Sequence, residues 1–95
     1  MALKDNLKEN TFSFEDLNSE NSTERFLVLH NDDINTFEHV IECLIKICKH
    51  DIVQAEQCAY IAHYKGKCEV KKGYPGELNY LKNLLISKGL SVTLE

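Results

Sequence analysis

From Arg25 onward the spacing of apolar residues switches between two periods, and the switches mark out six elements. Residues 25–30, RFLVLH, are a short apolar run of the kind that suits a buried strand. Beyond it, Phe37, Val40, Ile41, Leu44, Ile47 and Cys48 recur at the i, i+3, i+4, i+7 spacing of one helix face, and Thr36 in front of them is a good N-cap. This helix is expected to end near Lys49. Asp51, followed three residues later by Gln54, has the form of a capping box for a second helix. There Ile52, Ala55, Ala59, Ala62 and His63 share a face until Gly66 stops the pattern. The two helices are expected to lie as a tight antiparallel pair.

Residues 67–71, KCEVK, alternate with Cys68 and Val70 inward, which predicts a half-buried strand. Gly73 to Gly76, built around the single proline Pro75, reads as a turn. A third helix carries Leu78, Leu81 and Leu85 on one side and stops at Gly89, where Lys88 also suits the C-terminal dipole. Leu90, Val92 and Leu94 then alternate with polar residues, as in a closing strand. The predicted order is β-α-α-β-α-β, an α+β single domain in which three helices cover a three-stranded sheet.

Ahead of Arg25 the periodicity vanishes. Residues 1–24 are rich in Asn, Ser and Glu and offer too little apolar surface to offset ordering, so a disordered acidic N-terminal arm is expected before a core of residues 25–95. The arm holds six acids and two lysines, which accounts for the whole net charge of −4; the core has nine acids and nine bases. A neutral core carries no electrostatic footprint for nucleic acid. No apolar run approaches the ~20 residues of a membrane span, and the first residues lack the layout of a secretory leader. A cytoplasmic protein is therefore expected, with Cys43, Cys48, Cys58 and Cys68 reduced.

Candidate chemistry gathers at His30, Asn31, Asp32 and Asp33, between the first strand and the first helix. Adjacent residues of an extended segment point to opposite sides, so Asn31 and Asp33 share one side and His30 and Asp32 the other. Asn and Asp also favour tight turns by bonding to their own backbone, and from the residues alone the turn and site readings stand level. His63 is the second candidate, since flanking alanines leave space beside its ring. His39 and Cys43 lie at i, i+4, but no CxxC or HExxH completes a metal set. Cys58 and His63 diverge on their helix, and neither a Gly-rich phosphate loop nor a Ser-centred elbow is present. A catalyst is disfavoured, and no metal or cofactor is expected.

Taken together and in order, LHNDD before a helix with Glu38 and Val40, the A-H-Y-x-G-K stretch (Ala62, His63, Tyr64, Gly66, Lys67) and the terminal TLE resemble the Clp protease adaptor family, ClpS, from about Arg25 to Glu95. The resemblance implies a substrate adaptor of the N-end rule pathway. Such adaptors capture the free α-amino group of proteins whose first residue is bulky and hydrophobic, and deliver them to a ClpA- or ClpC-type AAA+ unfoldase of the ClpP protease. By resemblance Asn31, Asp33 and His63 grip the ammonium, Asp32 supports them electrostatically, and Asn35, Phe37, Val40, Ala59, Ala62 and Leu90 line the side-chain pocket. An ammonium has three donors and no acceptor, so acceptors converging from different elements suit it.

This sequence departs from the family at Phe37, where a gatekeeping methionine is common, at Ala59 and Ala62, where larger residues are common, and in a shortened stretch around Gly73 to Gly76. The arm is then expected to engage the unfoldase during handover, with the protein acting as a monomer. Two other readings compete: a protein-interaction domain of ribosomal-stalk-like fold with no use for free N-termini, and a small metal-dependent hydrolase built on His30, Asp32, Asp33 and His63.

Overall fold

The computed structural model describes residues 23–95; the expected arm lies, up to residue 22, outside the described residues. The elements are β1 (Arg25–His30), α1 (Phe37–Cys48), α2 (Ile52–Lys65), β2 (Lys67–Gly73), α3 (Pro75–Ser87) and β3 (Val92–Leu94). The sheet is antiparallel in the order β2-β1-β3, which makes the most apolar strand the central one. Leu27 and Leu29 of β1, Cys68 and Val70 of β2 and Val92 of β3 join Leu44, Ala55, Ala62, Leu78 and Leu85 in one core, so the three helices cover a single face of the sheet.

The helix ends follow from local chemistry. Thr36 accepts a hydrogen bond from the His39 N–H at 3.1 Å, and Asp51 accepts one from the Gln54 N–H at 2.7 Å. Helix α2 ends at Gly66, whose φ of 97° is open to glycine at little cost, and its N–H bonds to the Ala62 carbonyl at 2.9 Å. Gly89 plays the same part after α3, at φ 90°.

One segment differs from the sequence expectation. Strand β2 runs on through Gly73, Tyr74 alone forms the link, and Pro75 and Gly76 belong to the first turn of α3. Proline at the first helical position loses only an N–H that has no helical partner, so the residue that signalled a turn is in fact a helix start.

The β1–β2 register slips between Leu27 and Val28, from Lys71 to Glu69, leaving Val70 as an extra residue. His50, in the link between α1 and α2 and only 6% exposed, donates from Nε2 to the Val70 carbonyl at 2.7 Å. The buried histidine thus ties the α1–α2 corner to this irregular point of the sheet, and its Nδ1 has no partner among the described residues.

Candidate functional site

The site forms where β1 runs out. The Asn31 N–H donates to the Gly66 carbonyl at 2.9 Å, which fastens the start of the β1–α1 link to the C-terminal cap of α2, one turn from His63. The link then folds back on itself. Asp32 Oδ1 accepts from the backbone N–H of Ile34 at 2.9 Å and of Asn35 at 2.8 Å, while Oδ2 accepts from the Asn35 side-chain amide at 2.9 Å. That amide also donates to the Gly89 carbonyl at 2.9 Å, binding the link to the turn before β3. Partial burial of Asp32 pushes its pKa up, but the bonds from the Asn35 backbone, the Asn35 side chain and the Ile34 backbone outweigh it, and the carboxyl is held below its ordinary value.

A cavity of about 260 Å³ opens between this link and α2. By comparison, an apolar cavity of ~150 Å³ already admits benzene. Its apolar wall comes from Leu29, Phe37, Val40, Ala59 and Ala62, and its polar rim from His30, Asn31, Asp32, Asp33, Asn35, Thr36 and His63. The two alanines, each 4% exposed, make the space: side chains of ordinary size on that face of α2 would occupy it. Phe37 stands at the mouth, its ring 5.1 Å from that of His63, edge to face.

Of the residues singled out from the sequence, Asn31, Asp32, Asp33, Asn35, Phe37, Val40, Ala59, Ala62 and His63 meet around this one cavity. Leu90 is not in its lining. It is 4% exposed and belongs to the main core. His30, although on the rim, is engaged by β3: its Nε2 lies 2.7 Å from Thr93 Oγ1 and 3.8 Å from the Glu95 carboxylate. The hydrogen bonds therefore divide the polar rim. Among the described residues, the side chains of Asn31, Asp33 and His63 make no hydrogen bond within the protein, whereas those of Asp32, Asn35, Thr36 and His30 do.

The arrangement favours a cation. Asp32 and Asp33 face the cavity with no opposing Lys or Arg in the lining, and the C-terminal end of α2, the negative end of its dipole, carries His63. The other chemistries weighed from the sequence find different uses. His39 Nε2 donates to the Lys88 carbonyl at 2.8 Å. Among the described residues no three His, Cys, Asp or Glu side chains are grouped to hold a metal ion. All four cysteines are free and buried. Burial pushes the Cys48 thiol up to about 11, and burial together with the neighbouring Cys68 pushes Cys58 up to about 12, which leaves them as thiols rather than nucleophiles. No helix among the described residues is long and apolar enough to cross a membrane.

The sequence missed Asn35 as a bridge to Gly89, because that bond joins residues 54 positions apart.

Comparison with known proteins gives two findings. The family profile described as "ATP-dependent Clp protease adaptor protein ClpS" matches residues 21–93. Sixteen chains of solved structures match; one is Agrobacterium tumefaciens ClpS2 bound to L-phenylalaninamide, with 20% identity over 76% of this chain and 94% of that one and a TM-score of 0.67. No curated protein sequence matches.

Proposed function

The chain belongs to the ClpS family of Clp protease adaptors, and on that premise we propose that its cavity receives the first residue of a protein substrate, with Asn31, Asp33 and His63 holding the free α-amino group. The observation that carries this reading is the split of the rim. Three side chains from two elements, an amide, a carboxylate and an imidazole, border one apolar cavity and make no hydrogen bond within the described protein. These three exposed groups are free to accept from a ligand at the edge of an apolar cavity, and an ammonium with three donors matches three acceptors. The structural relative bound to L-phenylalaninamide, a free amine next to an aromatic side chain, supports the same assignment.

Magnitudes divide the work. Burying a Leu or Phe side chain is worth ~1.5–3 kcal/mol, whereas a millimolar complex needs about 4. Hydrogen bonds to a charged group contribute ~1.5–3 kcal/mol each, so the ammonium contacts carry binding into the micromolar range. Delivery then goes to a ClpA- or ClpC-type AAA+ unfoldase, with the residues before Arg25 as the segment that engages it during handover.

The test is a titration of fluorescent peptides beginning with Phe, Leu, Trp, Ile or Arg, plus an acetylated Phe control. Free bulky hydrophobic termini are expected to bind at micromolar concentration and the acetylated peptide not at all. Equal binding of the acetylated and free Phe peptides would sink the proposal. Removing residues 1–24 is expected to leave peptide binding intact while delivery to the protease fails.

A further inference from the structure

Four aromatic rings meet at the cavity mouth, and only two of them belong to its lining. Phe37 lies 5.0 Å from Tyr60 and 5.1 Å from His63, His63 lies 4.7 Å from Tyr64, and the Tyr60 and Tyr64 rings lie 6.3 Å apart with their planes within 19° of parallel. The tyrosines are one helical turn apart on α2. They are 50% and 74% exposed, so much of each side chain stays open to solvent beyond its contact with Phe37 or His63.

We infer that Tyr60 and Tyr64 form a stacking platform for the second residue of the substrate, one that favours a planar side chain, either an aromatic ring or the guanidinium of arginine. The inference rests on the clamp proposed above. With the amino group at Asn31, Asp33 and His63 and the first side chain inside, the peptide leaves through the mouth, and its second Cα lies ~3.8 Å beyond the first. The rings that touch Phe37 and His63 from outside are the next surface it meets. Parallel tyrosine faces stack with planar groups whether neutral or cationic, while small or acidic side chains gain nothing from them. Because α2 is a rigid element, the platform sits at a fixed distance from the clamp, so it reads position two and not the chain at large.

The experiment uses the whole protein and Phe-first peptides that differ only at the second residue: Tyr, Arg, Ala or Asp. Peptides with Tyr or Arg in second place are expected to bind about three- to ten-fold tighter than the Ala peptide. Tyr60→Leu and Tyr64→Leu keep apolar bulk on an exposed helix face, and they are expected to erase that preference while leaving the affinity of the Phe-Ala peptide unchanged. A wild-type protein that binds all four alike, or variants that weaken all four equally, overturns the platform and leaves the clamp standing. Failure of every free N-terminus to bind overturns the clamp, and the platform with it.

Discussion

Asp32 and Asp33 are neighbours of the same residue type in one short link, yet they do different work. Asp32 is turned inward on three hydrogen bonds that fold the link and tie it, through Asn35, to the turn at Gly89. Asp33 is exposed and makes no hydrogen bond within the described protein, as is true of the side chains of Asn31 and His63. The turn reading of the HNDD stretch holds for Asp32, whose carboxylate bonds to the backbone of its own link, while Asn31 and Asp33 are left open for the proposed ligand.

The comparison breaks most sharply at the carboxylates. Asp33→Ala removes a charged acceptor and is expected to weaken binding of a Phe-first peptide by about ten- to a hundred-fold, with the melting temperature unchanged. Asp32→Ala does the reverse in emphasis. It strips two backbone N–H groups and one amide of their acceptor, a loss comparable to that of a helix cap at ~0.5–2 kcal/mol, and Tm is expected to fall by several degrees. Thermal melts and peptide titrations on both variants decide it. Equal loss of Tm in the two would show that Asp33 is structural as well.

A smaller effect is expected at the cavity mouth. Phe37 closes one side and packs on His63 and Tyr60. Phe37→Ala enlarges the space, so a small first residue such as Leu loses contact while Trp gains room. The ratio of Trp-first to Leu-first affinity is expected to rise about four- to fifteen-fold, the worth of one to two buried methylenes at ~0.8 kcal/mol each. An unchanged ratio would place the selection deeper, at Ala59 and Ala62.

How much of this was legible beforehand depended on whether the signal was local. The caps at Thr36, Asp51, Gly66 and Gly89 were readable because each is chemistry within a few residues, and the alternation in β2 and β3 gave the sheet its inward face. Pro75 misled because a proline signals turns and helix starts alike, and only the length of β2 tells them apart. Leu90 was assigned to the cavity by resemblance, but side-chain direction after a left-handed glycine is a tertiary matter. The bond from Asn35 to Gly89 spans 54 positions, and no pattern in the link foretells it. Family resemblance, rather than periodicity, brought His63 to the same site as Asn31 and Asp33. The structure adds the Asn31 to Gly66 bond that holds those elements together.

The finest test reads the building side of this comparison through pH. The Asp32 carboxyl is held below its ordinary value by the N–H groups that bond to it. The ionised form thus favours the folded state. Its contribution is fully present above the ordinary carboxylate range of ~3.9 and is lost as pH falls through the lower folded value. Asp32→Asn keeps one acceptor oxygen but does not titrate. The stability gap between wild type and Asp32→Asn, from urea melts, is therefore expected to be constant above about pH 5 and to shrink steadily toward about pH 2. A gap that stays constant across that interval would mean the link is held by the shape of the Asp32 side chain and not by its charge.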